Sequence, residues 1–156
     1  MIEIAIPGEG SLRLTSLVLD YNGTLACGGK LLDGVPERLI ALSRSLSIYV
    51  ITADTFGTVQ AALKGLPCTS RVLPHVGQNH AKMAFVAQLG RIATACIGNG
   101  RNDRLMLQAA ALGIAVIGPE GAAFDAIQAA DIVTPNIEAA LDLLLNPLRL
   151  VATLRS

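Results

Sequence analysis

Residues 17–26 read LVLDYNGTLA. Leu17, Val18 and Leu19 form an apolar run that delivers Asp20 to its end, and Asn22 and Gly23 follow in turn composition. The run reads as a buried strand closed by an acid. In an open α/β sheet, ligands bind in the crevice beyond the carboxyl ends of the strands. Asp20 is therefore placed where chemistry happens, and the rest of the chain decides whether such a sheet exists.

Outward from this stretch, short apolar runs alternate with segments of helical period, the pattern of a mostly parallel sheet covered by helices. The fold class is α/β. MIEIAI and LRLTSLVLD flank Pro7-Gly8-Glu9-Gly10 and predict an opening hairpin whose second strand leads into Asp20. GVPERLIALSRS predicts a helix with Val35, Leu39 and Leu42 on one face, and LSIYVITAD a strand ending near Thr52. FGTVQAALKGL places Phe56, Val59, Leu63 and Leu66 at helical spacing, SRVLP reads as a short strand, and QNHAKMAFVAQLG is a helix closed by Gly90. RIATACIG is a buried strand followed by the loop GNGRND and a helix through RLMLQAAAL. GIAVIG and ADIVT complete the strands, and IEAALDLLL carries Ile137, Leu141, Leu144 and Leu145 on one helical face.

Composition removes several classes of function. The 156 residues suffice for one domain. Its 12 basic and 12 acidic residues cancel without a Lys/Arg cluster, and aromatics are only 3%, so no nucleic-acid surface is expected. No run reaches the ~18 apolar residues of a membrane span, and the N-terminus lacks the pattern of a signal peptide, so a cytoplasmic setting is expected. Cys27, Cys68 and Cys96 are widely spaced and odd in number, which fits reduced thiols. His75 and His80 form no metal pattern and read as solvent-facing or hydrogen-bonded in place. Because 52% of the residues are hydrophobic, the opening hairpin and the tail LRLVATLRS are expected to be covered by a second copy, giving a homo-oligomer.

DYNGTLA, ITAD, Lys82 and GNGRND, in that order across roughly residues 17–118, resemble the four motifs of the haloacid dehalogenase (HAD) superfamily of aspartyl-phosphate-forming phosphotransferases. DYNGTL and IGNGRNDRLMLQAAALGIAVIG are most similar to the phosphorylation domain of P-type ATPases and to the soluble P-type ATPase-like phosphatases. The resemblance implies a Rossmann-like, doubly wound, capless domain over residues 1–156: hairpin 1–16, core 17–146, tail 147–156. Only about thirty residues separate Asp20 from Thr52. That leaves no room for the nucleotide-binding domain of the pumps, and at most a short flap near residues 25–34.

Under this resemblance Asp20 is the nucleophile, converting one difficult displacement into formation and hydrolysis of an acyl phosphate. Gly23 and Thr24 wrap the backbone after it, and the Asn22 carbonyl faces the metal. Thr52 holds a phosphoryl oxygen through its hydroxyl, helped by the backbone N–H of Ala53, and Lys82 supplies positive charge for phosphoryl transfer. The cofactor implied is Mg²⁺, held by Asp20, Asn22, Asn99 and Asp103 with Asn102 in support. Outside the resemblance, Asp20 is a turn cap, Thr52 a strand residue, Lys82 a surface lysine, and GNGRND a dinucleotide loop without its third glycine. A response-regulator receiver shares the acceptor Asp, Thr and Lys but not the DxNGT and GNGxND spacing.

Two positions depart from the family pattern. P-type pumps carry aspartate where this chain has Asn99, so the metal site loses a charge. Phosphatases of the superfamily carry a second aspartate where this chain has Asn22, and an amide exchanges no proton at neutral pH. The expectation is a slow Mg²⁺-dependent phosphatase acting on a small phosphorylated substrate. The alternative is a catalytically weakened phospho-responsive or phosphate-binding regulatory module.

Overall fold

Thr15 breaks what the sequence presents as one long second strand. In the computed structural model, which describes residues 1–156, β1 (Ile2–Ile6) and β2 (Gly10–Leu14) pair as a separate antiparallel hairpin. The chain then enters the main sheet as β3 (Ser16–Asp20), with the Thr15 N–H donating to the Ala93 carbonyl and its carbonyl accepting from Ser47. A second, two-residue hairpin of β4 (Ala26–Cys27) and β5 (Lys30–Leu31) follows, where the short flap was expected.

The rest alternates: α1 (Val35–Leu42), β6 (Ser47–Thr52), α2 (Thr58–Ala62), β7 (Thr69–Val72), α3 (Gln78–Leu89), β8 (Thr94–Gly98), α4 (Arg104–Ala109) and β9 (Leu112–Val116). It ends with α5 (Phe124–Ala129), β10 (Ile132–Thr134), α6 (Ile137–Leu145) and α7 (Pro147–Leu154). The main sheet is parallel throughout, in the order β10-β9-β8-β3-β6-β7. From β3 the chain winds one way through β6 and β7, then returns to lay β8 on the other side. The direction of winding therefore changes at β3 and β8, and the crevice between their carboxyl ends is the expected ligand site.

Alternating side chains make two cores. Leu17, Leu19, Val50, Ala95, Ile97 and Ile114 face the larger one, covered by the hairpin, α1, α6 and α7. Val18, Ile51 and Cys96 face the smaller one with Phe85, Val86, Met106 and Leu107. Strands buried on both faces explain their nearly unbroken apolar runs. An Arg38 fork closes α1 onto α6, with Nε 2.8 Å from Asp142 Oδ1 and Nη2 3.1 Å from Oδ2.

Three sequence expectations change here. The helix at FGTVQAALKGL is only five residues, and Phe56 is 92% exposed instead of packed, because Gly57 starts the helix after it. α5 was not anticipated: its AAFDAIQAA setting is mostly alanine and carries no large apolar stripe. The tail is a helix whose Leu150 is buried and whose end meets the hairpin, Ser156 N–H donating to the Pro7 carbonyl. Hairpin and tail thus meet within one chain, while Leu148 stays exposed.

Gly113 lets β9 run against the end of α4. A Cβ there would lie 2.4 Å from the Leu107 carbonyl oxygen, a backbone atom that cannot swing aside. Gly113→Ala is expected to lower stability by ~1–3 kcal/mol, the usual cost of overpacking. Urea unfolding should show a lower midpoint at unchanged slope, and an unshifted midpoint would mean that β9 and α4 part without cost.

Candidate active site

At the carboxyl end of β3, Asp20 is 7% exposed, and the backbone turns sharply behind it. The N–H groups of Leu25 and Ala26 both donate to the Tyr21 carbonyl at 3.0 Å, and Gly23 N–H donates to the Ala26 carbonyl. Gly23 has φ +81°, and a Cβ there would lie 2.4 Å from Asn99 Nδ2, so this turn requires glycine for conformation and for space. Thr24 is buried, its hydroxyl 3.3 Å from Asp20 Oδ2 and 3.2 Å from Asn99 Oδ1. Its single proton serves one acceptor at a time.

Lys82 lies one turn into α3 and is 2% exposed, with its ammonium bridging two carboxylates: 2.7 Å to Asp20 Oδ1 and 2.6 Å to Asp103 Oδ1. The other oxygen of Asp103 accepts the backbone N–H groups of Asn99 (3.0 Å) and Gly100 (2.8 Å). Asp103 therefore holds the loop after β8 and aims Lys82 at Asp20. Asn102 reinforces this, its Nδ2 donating to Gln78 Oε1 at the first turn of α3 (2.6 Å).

Electrostatics follow from this packing. Burial, and then the charge of Asp103, push the Asp20 carboxyl up to about 7, with Lys82 and the Thr24 hydroxyl opposing. Burial works against the Lys82 ammonium too, but the Asp20 and Asp103 charges outweigh it and hold its pKa above the ordinary lysine value.

Thr52 ends β6 and is 3% exposed; its hydroxyl oxygen accepts the Asp54 N–H at 3.0 Å, which leaves the hydroxyl proton free to donate. Ala53 and the exposed Asn22, which follow Thr52 and Asp20 in the chain, line one crevice with Tyr21. Asn99 is pinned, its Nδ2 donating to the Gly121 carbonyl and its Oδ1 turned toward Thr24. An aspartate at 99 would lose that donor. His75 and His80 are exposed, as expected, and all three cysteines are free. Asp54 was missed by sequence reasoning: it lies in the same crevice, and the signal was an acid four residues before Thr58, where a helix begins.

No family model matches the chain. Fifty-nine residues are 59% identical to the uncharacterized protein MJ0073 of Methanocaldococcus jannaschii, covering 38% of this chain and 63% of that protein. The match thus spans less than two thirds of that relative's length. The uncharacterized protein MJ0072 of the same organism is 49% identical over 39 residues, 25% of this chain and 89% of that protein. Among solved structures, 3-deoxy-D-manno-octulosonate 8-phosphate phosphatase from Moraxella catarrhalis superposes with TM-score 0.69 at 19% identity, covering 91% of this chain and 94% of that one. The chain belongs to one family with MJ0072, and its fold is that of the HAD superfamily.

Two further solved structures share the fold. The cobalt-bound deoxy-D-mannose-octulosonate 8-phosphate phosphatase from Haemophilus influenzae gives TM-score 0.70 at 15% identity, over 85% of this chain and 88% of that chain. A zinc-transporting PIB-type ATPase in its E2.Pi state gives 0.64 at 24% identity, over 79% of this chain but only 20% of the pump. The HAD core here is thus comparable to nearly all of a small phosphatase and to one part of a pump. No helix of the chain is long and apolar enough to cross a membrane.

Proposed function

We propose that this HAD-fold chain is a metal-dependent phosphatase that hydrolyses small phosphate esters through an aspartyl phosphate on Asp20. The observation that carries the reading is the Lys82 ammonium clamped between Asp20 and Asp103 at the carboxyl ends of parallel strands, with the free Thr52 hydroxyl proton at the end of β6. In the first step an Asp20 oxygen bonds to phosphorus while the bond to the leaving oxygen breaks; the departing alkoxide takes its proton from water. In the second, water attacks phosphorus, the acyl–phosphate bond breaks, and inorganic phosphate leaves with the Asp20 carboxylate restored. Lys82, Thr52 and the Ala53 N–H would stabilise the phosphoryl oxygens throughout.

The donor set suits a hard cation that accepts neutral oxygens. No group of three or more His, Cys, Asp or Glu side chains is placed to hold an ion. Asp20, the Asn22 main-chain carbonyl and Asn99 Oδ1 remain, one carboxylate with two neutral oxygens, which fits Mg²⁺ with several waters retained. Bound there, Mg²⁺ would neutralise charge on the transferring phosphoryl group. Asp103, expected from the sequence as a fourth ligand, has one oxygen fixed by two main-chain N–H groups and the other by Lys82, whereas the Thr24 hydroxyl shared by Asp20 Oδ2 and Asn99 Oδ1 can rotate away; we assign Asp103 the positioning of Lys82. The magnesium and phosphate in the Moraxella structure and the cobalt in the Haemophilus structure support a divalent ion.

Asn22 favours a second reading, a phospho-responsive module that forms the adduct and turns over little. One experiment tests the acceptor and separates the readings. Incubation with Mg²⁺ and acetyl phosphate, followed by peptide mapping, is expected to place the adduct on Asp20 and nowhere in Asp20→Asn. Steady phosphate release favours the enzyme, a stable stoichiometric adduct the module, and an adduct at another residue defeats both.

A further inference from the structure

The flap that follows Asp20 is too short to hold its own shape. β4 and β5 are two residues each, and Gly28 and Gly29 between them both have positive φ (+57° and +80°), as a two-residue hairpin turn requires. An isolated hairpin is marginal in water, and a tip of two glycines has the most freedom to regain when released. Packing secures the base, since Leu25 and Ala26 are fully buried, but Gly28 and Gly29 are exposed. What fixes the tip comes from outside the hairpin. The Tyr21 hydroxyl donates to the Gly29 carbonyl at 3.1 Å, and the Gly28 N–H donates to Glu120 Oε2 at 3.3 Å.

Both bonds start from segments that also build the site. Tyr21 follows Asp20 directly; its ring is buried, and its carbonyl accepts the N–H groups that order the turn. Burial and then the Asp54 charge raise the pKa of its phenol, so the hydroxyl stays a donor at physiological pH. Glu120 lies on the loop between β9 and α5, which Asn99 anchors through Gly121 and Ala123. So fastened, Gly29 is one wall of a crevice of about 310 Å³, shared with Tyr21, Asn22, Ala53 and Asp54. Asn22 and Ala53 stand just past Asp20 and Thr52, which end β3 and β6. That volume is at the small end of ligand pockets.

We propose that Tyr21 is a positioning residue that sets substrate size: its hydroxyl, with Glu120 in support, fastens the flap tip as a fixed wall, so that the site takes phosphate esters with small leaving groups and disfavours bulky ones. The assignment of the crevice to the leaving group rests on the phosphatase reading above. Admitting a bulky group means breaking the phenol bond, which lowers its affinity by about two- to tenfold, the net strength of one hydrogen bond.

Hydrogen exchange read by mass spectrometry tests the fastening in the unaltered chain, Tyr21→Phe and Glu120→Ala. Phenylalanine keeps the buried ring and removes only the hydroxyl, so the amides of residues 26–31 are expected to exchange about two- to tenfold faster while those of β3 do not change. Glu120→Ala cuts the longer, exposed bond and should move the same amides by a smaller factor. Calorimetry tests the consequence: phenyl phosphate and 1-naphthyl phosphate are titrated, with Mg²⁺ present, into Asp20→Asn protein, which cannot form the adduct, with and without Tyr21→Phe. Tyr21→Phe is expected to raise the affinity for the naphthyl ester relative to the phenyl ester by about two- to tenfold. Parental exchange of the flap in Tyr21→Phe, faster exchange in flap and β3 alike, an unchanged affinity ratio, or no binding of either ester overturns the proposal. Turnover of phenyl phosphate by the unaltered chain reads the phosphatase separately. The expected exchange and ratio without turnover defeat only the catalytic reading, and turnover with an unchanged ratio defeats only this one.

Discussion

Lys82→Met is expected to cost the chain ~3–5 kcal/mol of stability and to slow phosphoryl transfer by ~10²–10³, because one ammonium serves both purposes. Methionine matches the length of lysine closely enough that little cavity forms. What is lost is the cation between Asp20 and Asp103, which lie with it at 2.7 and 2.6 Å in a site where Lys82 is 2% exposed. Breaking a buried pair by removing one member is costly since the remaining charge stays out of water; here Asp20 and Asp103 would face each other without a cation, and Asp20, already raised to about 7, would be driven to take up a proton. Urea unfolding measures the first effect and single-turnover adduct formation the second. Removing the repulsion with Asp103→Asn in the Lys82→Met background should return part of the stability, a coupling that two independent sites would not show. A Lys82→Met midpoint equivalent to less than ~1 kcal/mol of loss would mean that water reaches the pair and that the clamp is not closed.

The central strands were legible because both faces are buried, so their apolar runs are nearly continuous and the acids and threonine at their ends stand out. Asp20, Thr52 and the loop from Asn99 to Asp103 fell into place for that reason. Lys82 was legible only through the resemblance, since a single lysine near the start of a helix looks solvated, and its burial comes from contacts 62 and 21 residues away in sequence. The contact of Asp103 with Lys82 was not legible at all. Whether a loop carboxylate meets a metal or a lysine depends on which way two oxygens point, and periodicity carries no such information. Thr15 hid for a related reason: apolar alternation continues through it, and only pairing with two different sheets on either side breaks the strand. Phe56 misled because helical spacing treats every large apolar residue as a core residue, whereas this one lies before the helix starts.

Asn22→Asp is expected to accelerate decay of the Asp20 adduct by up to ~10²–10⁴, the range that general-base catalysis supplies when the base is in place. The structure puts Asn22 two residues beyond Asp20, exposed and lining a crevice with Tyr21, Ala53 and Asp54. Its amide orients a water without accepting the proton. Asp54, the acid of the crevice, does not take over that duty: the Thr58 hydroxyl and the Val59 and Phe56 amides hold it at about 2, which makes it a poor base. In the parent chain, formation of the adduct from a good leaving group should therefore outrun its hydrolysis, giving a burst and then slow turnover. A carboxylate at 22 changes the second phase most, because the first needs no proton accepted from water. Some of the gain is offset, since a negative charge beside Asp20 opposes the incoming phosphate and should raise the substrate concentration needed for the burst. Quenched-flow measurement of adduct decay, with Asn22→Ser as a neutral control, reads the effect directly. Decay as slow in Asn22→Asp as in Asn22→Ser would remove position 22 from proton transfer, and a slow parent would then point to the proposed metal shell instead.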